Sequence, residues 1–261
     1  MPPAQLAILL SQLDSLVSRI VSSPFASINS LSFGLEESLL SILNPCPLIP
    51  SLEDAPSLAA LVEKTTVQFP DAVALQFAHG FGNNGLYDKK LTYRQLNTAA
   101  NALAHKLLAM GAVVDELICL FMDKSPMLYI SILAIVKAGT GYLPLSPDTP
   151  VDRLHRIVTE ASVRICLSTS DLGDRLSMEN LEILKVDKFG FESYPSNNPT
   201  VRNGVSGLAY AVFTSGSTGV PKGVLVTQKN IITNIKALQE VYSYKTTSKI
   251  LQFCSQAFDG T

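Results

Sequence analysis

The sequence has few of the features that mark secreted, metal-binding or nucleic-acid-binding proteins. Its four cysteines are scattered without a Cys-x-x-Cys pair, and no Asn-x-Ser/Thr glycosylation site has a permitted middle residue. The formal net charge of −2 offers no basic surface to nucleic acid or to an anionic membrane. These absences favour a cytoplasmic protein with reduced cysteines, and we expect Cys119 and Cys166, which lie in apolar runs, to pack in the core.

Long apolar segments and clustered histidines are also missing. No stretch of eighteen or more uncharged apolar residues could span a membrane, and the apolar first twenty residues lack the basic start of a signal peptide. The three histidines, His79, His105 and His155, are far apart, so we expect packed or surface side chains and no metal site. What the chain does have is 47% hydrophobic and 16% charged residues, a balance that supports a substantial folded core.

Alternating strand and helix patterns predict an α/β fold. Helix start signals recur: a capping box at Thr92, a Ser-Pro pair at 125–126, a Thr-Pro pair at 149–150 and an N-cap at Thr227. Most of the strands are apolar throughout, so we expect mixed or parallel sheets covered by helices. The predicted strands are 72–77, 117–122, 163–168, 181–186, 208–213, 223–227 and 250–253. Residues 142–147 (Tyr-Leu-Pro-Leu-Ser-Pro) predict a further strand followed by a rigid turn, which we interpret as structural.

The residue composition and hydrophobic pattern of the chain change near residue 57. Apolar residues between Leu6 and Val21 recur at three- and four-residue spacing, which predicts an amphipathic helix. Residues 22–56 are then rich in serine and proline. We therefore interpret residues 1–56 as a helical lead-in and linker and residues 57–261 as the folded domain. An exposed apolar helix face usually packs against a partner.

Residues 214–223 carry the strongest functional signal. Their sequence, Thr-Ser-Gly-Ser-Thr-Gly-Val-Pro-Lys-Gly, joins two predicted strands. Glycine lets the backbone approach a ligand, and backbone N–H groups, hydroxyls and the Lys222 ammonium together suit phosphate oxygens. The spacing differs from a Walker A loop, which leads directly into a helix. The alternative is a plain hairpin turn, but such turns usually need only about two to five residues. We expect Ser217 and Thr218 to be phosphate ligands rather than nucleophiles, since no base lies nearby in the sequence.

Residues 210–223 resemble the phosphate-binding motif of the adenylate-forming (AMP-binding) superfamily, most closely that of fungal-type nonribosomal peptide synthetase adenylation domains. Residues 91–97 (Leu-Thr-Tyr-Arg-Gln-Leu-Asn), 136–145 (Val-Lys-Ala-Gly-Thr-Gly-Tyr-Leu-Pro-Leu) and 258–261 (Phe-Asp-Gly-Thr) resemble other core motifs of that family, in the same order. The resemblance covers the chain from about Ser57 to its last residue. The chain departs from the pattern at Gln228, where many members have histidine.

The resemblance implies ligands for particular residues. Residues 1–56 resemble the segment that joins a condensation domain to an adenylation domain, which implies contact with a condensation domain. The Asp259 carboxylate would pair with the α-amino group of an amino-acid substrate, although Asp-Gly is also a common turn pair. The phosphates of ATP, with Mg²⁺, would be bound by Thr214, Ser215, Gly216, Ser217, Thr218, Gly219, Lys222 and Gly223.

The implied reaction has two steps. An amino-acid carboxylate attacks the α-phosphorus of ATP to give an aminoacyl adenylate and pyrophosphate, and the acyl group then passes to a phosphopantetheine thiol on a carrier domain. Because further family motifs would follow residue 261, we expect an N-terminal half domain that catalyses little pyrophosphate exchange by itself. Two alternatives stay open: an inactive truncated remnant, and an acyl-CoA-synthetase-like ligase for a carboxylic acid without an amine. Residues 141–150 are similar to fungal siderophore synthetases, which implies a hydroxamate-type or small amino acid.

Overall fold

The computed structural model describes residues 3–27, 57–82, 85–200, 204–214 and 222–255. The chain separates into two compact units, Met1–Pro50 and Ser51–Thr261. In the first unit, helix α1 (Pro3–Ser22) confirms the predicted amphipathic helix. The boundary at residue 57 stays a prediction, because residues 28–56 lie outside the described part. Among the described residues, no helix is both long enough and apolar enough to cross a membrane.

Helices and strands alternate through the second unit. Its described helices are α2 (Leu58–Gln68), α3 (Tyr93–Ala109), α4 (Pro126–Lys137), α5 (Val151–Glu160) and α6 (Gln228–Tyr242). Its described strands are β1 (Val73–Gly82), β2 (Gly85–Thr92), β3 (Leu117–Phe121), β4 (Gly141–Leu145), β5 (Ile165–Ser168), β6 (Glu182–Lys185), β7 (Leu208–Thr214) and β8 (Lys222–Thr227).

Six of these strands form one sheet in the order β6-β5-β3-β4-β7-β8. The neighbours from β6 to β7 pair in parallel, and only β8, at the edge, pairs antiparallel with its neighbour β7. Strands β1 and β2 form a separate antiparallel hairpin. The predicted α/β fold with a parallel-rich mixed sheet and covering helices is therefore confirmed. The parallel strands end at a common edge, the place where open α/β sheets bind ligands.

The central strand β3 separates two hydrophobic clusters. All five of its residues are buried. Ile118 and Leu120 pack into the cluster that includes α3 and α4, whereas Cys119 and Phe121 pack into the cluster that includes α5. Successive strand residues point to opposite faces, so a fully apolar strand of this kind belongs in the middle of a layered core. Cys166 is the register partner of Cys119, and both are buried free thiols, as predicted; burial raises the pKa of Cys119.

A buried polar cluster ties three helices to the segment that precedes β7. The fully buried Lys137 of α4 forms an ion pair with Glu63 of α2 and donates to the Oδ1 atom of Asn198 at 3.3 Å. The same Oδ1 atom accepts hydrogen bonds from Asn97 and Asn101 of α3, each at 2.9 Å. Since a buried ammonium is costly without partners, these contacts fix the path of the chain between β6 and β7.

Three expectations about local structure need correction. Residues 250–253 are not a strand; the chain there is irregular and mostly exposed. Thr149 does not cap α5, because Pro150 occupies the cap position without any side-chain hydrogen bond to the helix. Strand β2 was not predicted at all, because its polar sequence, Tyr-Asp-Lys-Lys, has no apolar alternation and only its pairing with β1 makes it a strand.

Candidate functional site

The two ends of the predicted phosphate loop lie side by side at the edge of the large sheet. Thr214 is the last residue of β7 and Lys222 the first of β8, and the two are register partners. The Thr214 hydroxyl donates to the carbonyl oxygen of Lys222 at 3.5 Å. The structure therefore brings Thr214, Lys222 and Gly223 together at one end of a hairpin. Ser215, Gly216, Ser217, Thr218 and Gly219 lie outside the described residues.

Lys222 places a positively charged side chain at the start of β8 in this hairpin. Its side chain is exposed, and no carboxylate among the described residues forms an ion pair with it. The ammonium is thus available to an anion from solution. A compact ammonium on a flexible stem suits a phosphate oxygen as a point charge.

Gly223 has a packing role that its sequence context did not reveal. Its register partner is Phe213 of β7, whose ring lies directly over the glycine. A Cβ atom added at Gly223 would come within 3.0 Å of Cζ and 3.2 Å of Cε2 of that ring. Glycine at this position therefore lets the end of the Phe213 ring approach the backbone of β8 closely.

A cavity of about 650 Å³ opens beside Thr214. Apolar residues of β4, β7 and β8 form much of its lining, and α5 supplies Arg153 and Ile157. Residues 142–147 were interpreted as a strand and rigid turn with a structural role, yet Pro144, Leu145 and Ser146 line this cavity. Their position at the carboxyl end of a buried parallel strand was the available signal, since ligand sites of α/β sheets concentrate there.

Two tyrosines stack across neighbouring strands of the sheet, and one of them, Tyr210, also lines the cavity. Tyr142 of β4 and Tyr210 of β7 are register partners, and their ring centroids are 5.4 Å apart with planes inclined by 29°. Burial, with a smaller effect from Tyr210, raises the pKa of Tyr142 well above its ordinary value. The Tyr142 phenol therefore stays protonated, and the pair acts as an apolar platform between two strands.

Gln228, the position that departs from the family pattern, ties the end of β8 to the beginning of the domain. It is fully buried at the first position of α6, and its Oε1 atom accepts a hydrogen bond from the Leu58 N–H at 2.9 Å. It thereby satisfies one of the free backbone donors at the start of α2, next to the N-cap residue Ser57. Its own Nε2 atom is buried without a hydrogen-bond partner in the described part of the chain.

Asp259, the predicted carboxylate for the substrate amine, lies outside the described residues. The chain leading toward it is described as far as Ser255, which lines the cavity together with Thr214. The role of Asp259 therefore stays a prediction.

Two of the three histidines, His105 and His155, have described surroundings. His105 lies 3.0 Å from the carbonyl oxygen of Asn197 through its Nε2 atom, and the Nε2 atom of His155 is buried without a partner. The side chain of His79 is outside the described part. Within the ranges that are described, no group of three or more His, Cys, Asp or Glu side chains could hold a metal ion.

A parallel sheet bordered by an antiparallel hairpin, with a cavity at its carboxyl edge, is the arrangement in which α/β domains commonly bind ligands. The family model described as AMP-binding enzyme matches residues 62–261. The chain belongs to the AMP-binding enzyme family.

Comparison with known proteins points to peptide synthetases. The chain is 39% identical over 256 residues to nonribosomal peptide synthetase 2 of Cochliobolus heterostrophus, an alignment that covers 98% of the chain and 5% of that protein. It is 33% identical over 263 residues to the hydroxamate-type ferrichrome siderophore peptide synthetase of Schizosaccharomyces pombe, covering 99% of the chain and 5% of the relative. The chain thus spans about 5% of the length of these relatives.

A solved structure shares the fold. The nonribosomal peptide synthetase FmoA3, crystallised in an AMPPNP-bound form, superposes with a TM-score of 0.77 at 22% identity, covering 99% of the chain and 27% of that structure. The resemblance to adenylation domains of nonribosomal peptide synthetases is confirmed by the family match and by the peptide-synthetase relatives.

Proposed function

We propose that this chain binds ATP through residues 214–223 and contributes that site to the activation of an amino acid as an aminoacyl adenylate. One observation carries the proposal. The β7–β8 hairpin holds Thr214 and Lys222, which forms no ion pair with the described residues, opposite each other at the carboxyl edge of the sheet, and Thr214 lines a cavity of about 650 Å³. The family match and the AMPPNP bound to the FmoA3 structure support a nucleotide as the ligand.

The reaction places negative charge where the hairpin can stabilise it. A carboxylate oxygen of the amino acid attacks the α-phosphorus of ATP, the bond from that phosphorus to the bridging oxygen breaks, and pyrophosphate leaves with the electron pair. Hydroxyls of the loop, its backbone N–H groups and the Lys222 ammonium would hold the β- and γ-phosphates and offset the charge of the leaving group. Thr214, Ser215, Gly216, Ser217, Thr218, Gly219, Lys222 and Gly223 form the proposed phosphate site.

Mg²⁺ would enter this site with the nucleotide. The described residues bring together no set of carboxylates that could hold the ion by themselves. Magnesium in nucleotide sites is commonly bound by substrate phosphates with one or two protein ligands. Its chemical contribution would be charge neutralisation on those phosphates. The described residues indicate no further role for the ion.

The substrate and partners follow from the same proposal. Asp259 would form an ion pair with the α-amino group, which would reject carboxylic acids that lack an amine. The acyl group would then pass to a phosphopantetheine thiol of a carrier domain, as the peptide-synthetase relatives suggest. Residues 1–56 would act as a lead-in that contacts a condensation domain. The siderophore synthetase relative supports a hydroxamate-type or small amino acid.

Titration of the chain with ATP and Mg²⁺, followed by calorimetry and by amide NMR shifts, tests the nucleotide site. We expect saturable binding, shifts in the amides of residues 214–223, and about tenfold weaker affinity for Lys222→Met, since one charge-assisted contact to phosphate is lost. Lys229→Met removes a lysine seven positions further along the chain and serves as the matched control. Undisturbed amides at 214–223 in a well-folded protein would refute the site.

Amino-acid-dependent exchange of labelled pyrophosphate into ATP, measured on the full-length gene product, tests the reaction. We expect exchange with one or a few amino acids, none with the corresponding amine-free acids, and loss of selectivity for the amine in Asp259→Ala. Exchange that is equally fast with amine-free carboxylic acids would instead identify an acyl-activating ligase.

A further inference from the structure

Residues 252–254, near the end of the described chain, are held by polar contacts rather than by burial. The side chains of Ile250, Leu251 and Phe253 are 73%, 84% and 85% exposed. Hydrophobic packing therefore does not fix this stretch, which also lacks the strand pairing expected from its sequence. An exposed irregular segment keeps a defined path where its backbone groups are hydrogen-bonded.

Lys124 supplies the first of these attachments. It lies between β3 and α4, immediately before Ser125, whose side chain caps α4. Its ammonium donates to the carbonyl oxygen of Phe253 at 3.0 Å and to the carbonyl oxygen of Cys254. Hydrogen bonds from an ammonium are charge-assisted, and the capped helix behind Lys124 fixes the position from which they are made.

Tyr129 supplies a second attachment from the first turns of α4. Its hydroxyl donates to the Oε1 atom of Gln252 at 3.2 Å, and the Nε2 atom of Gln252 donates to the carbonyl oxygen of Cys254 at 2.9 Å. Burial raises the pKa of Tyr129, so the phenol keeps the proton that it donates. The Lys124 and Tyr129 contacts therefore meet at the same peptide group of Cys254.

The attached segment leads into the candidate site. Ser255 follows directly and lines the cavity together with Thr214, the residue that begins the proposed phosphate loop. Asp259 comes four positions after Ser255 in the sequence. The anchor at residues 252–254 therefore lies next to a residue of the cavity wall.

We propose that Lys124 and Tyr129 are positioning residues for the amino-acid side of the site: they hold residues 252–254 and thereby keep Ser255 in the wall of the cavity. The attachment itself is independent of any reaction. Its effect on the substrate rests on the proposed function, because only that function gives the cavity an amino acid to bind.

The attachment is tested on the full chain without substrate, by hydrogen–deuterium exchange of peptides that contain residues 250–255. We expect Lys124→Met to accelerate exchange there by about tenfold, since two charge-assisted hydrogen bonds are lost, and Tyr129→Phe to accelerate it less. Lys124→Arg, which retains donors, should stay near the wild type. Lys64→Met, an exposed lysine of α2, is the control for loss of a surface charge.

A fluorescent reporter gives a second measurement of the same attachment. The chain contains no tryptophan, so Phe253→Trp introduces a single emitter at an exposed position. We expect lower emission anisotropy when Lys124→Met or Tyr129→Phe is added to this background, because the tryptophan then moves with a free segment. If neither variant changes exchange or anisotropy at residues 250–255, the proposal is wrong.

The effect on the substrate is tested by pyrophosphate exchange in the full-length gene product. We expect Lys124→Met to raise KM for the amino acid by about tenfold while KM for ATP stays within about twofold, a division that general destabilisation would not produce. Equal changes in both KM values, or none despite a loosened segment, would overturn the positioning role. A protein that activates no amino acid would refute the proposed function. The hydrogen–deuterium exchange and fluorescence anisotropy of residues 250–255 would still decide whether the attachment exists.

Discussion

The side-chain oxygen of Gln228 accepts a hydrogen bond from the Leu58 N–H at 2.9 Å, although the two residues are 170 positions apart. The contact joins the end of the β7–β8 hairpin to the start of α2. It gives one backbone N–H at the N-terminus of that helix an acceptor from a distant part of the chain. A second N–H, that of Ala60, donates to the Ser57 hydroxyl.

Replacing Gln228 with methionine keeps the size of the side chain and removes the acceptor. We expect a loss of about 1 kcal/mol in the free energy of unfolding, because the partly buried Leu58 N–H loses its acceptor while the unpaired Nε2 donor of Gln228 is removed as well. Urea unfolding followed by far-ultraviolet circular dichroism measures it. Gln239→Met, an exposed position on the same helix, should change stability by less than about 0.5 kcal/mol; equal effects at both positions would contradict the capping role.

Replacing Glu63 with glutamine leaves the fully buried Lys137 without its carboxylate partner. We expect the free energy of unfolding to fall by about 3 kcal/mol near neutral pH, as is typical when one partner of a buried ion pair is removed. In a Lys137→Met background the same replacement should cost much less, because no buried charge remains. The double-mutant cycle is measured by urea unfolding.

The same pair predicts how stability depends on pH. Burial lowers the pKa of Lys137, an effect that Glu63 partly offsets. Between its folded pKa and its higher unfolded pKa, the unfolded chain binds more protons, so the contribution of this group to the free energy of unfolding increases with pH. Glu63→Gln lowers the folded pKa further and widens that window. The free energy of unfolding, measured from pH 7 to 10, should therefore increase more steeply with pH for Glu63→Gln than for the wild type. This difference should vanish when Lys137→Met is present in both proteins.

Adding a methyl group at Gly223 should displace the ring of Phe213. The new Cβ atom would approach Cζ of that ring to 3.0 Å, and we expect Gly223→Ala to cost about 1–3 kcal/mol by overpacking and to weaken ATP binding. Adding Phe213→Leu to the Gly223→Ala variant should restore part of the lost stability and part of the lost ATP affinity. Gly204→Ala is the matched control, since nothing lies within 4 Å of its Cβ position. Thermal unfolding and calorimetry provide the two measurements.

Asp115 holds the first residue of β7, and its removal should weaken the hairpin. Its Oδ1 atom accepts a hydrogen bond from the Leu208 N–H at 2.8 Å, and its own backbone is left-handed, with φ of 63°. Asp115→Ala loses the acceptor and strains the backbone, so we expect a loss of about 2 kcal/mol. Asp115→Asn keeps an oxygen acceptor and tolerates this backbone, and should be close to the wild type. Similar losses in both variants, by urea unfolding, would contradict the role of the acceptor.

The parts of the fold that sequence predicted well are those decided by neighbouring residues. The capping box at Thr92 forms with both of its hydrogen bonds, the last helix begins after Thr227, and Ser125 caps α4 ahead of Pro126. The buried strand at 117–122 and the ends of the phosphate loop were likewise identified from local pattern. In each case the competing conformations differ within a few residues, so composition and spacing decide among them.

The features that sequence did not predict depend on contacts between distant residues. Residues 250–253 have the apolar composition of a strand, but the chain there is irregular, and Lys124 donates to the carbonyl oxygen of Phe253 while Tyr129 donates to the side chain of Gln252. Gly223 was assigned to the ligand, yet its position opposite Phe213 appears only when two strands pair. Gln228 stood out only as a departure from the family pattern, and its hydrogen bond to Leu58 required the assembled fold.

The attachment of the hairpin to the remaining sheet includes a contact between two aromatic rings. Strands β4 and β7 share the single register pair Tyr142 and Tyr210, whereas β3 and β4 share five consecutive pairs. The stacked rings of the two tyrosines lie at that single pair. Their contact therefore supplements the backbone pairing that joins β7 to the central strands.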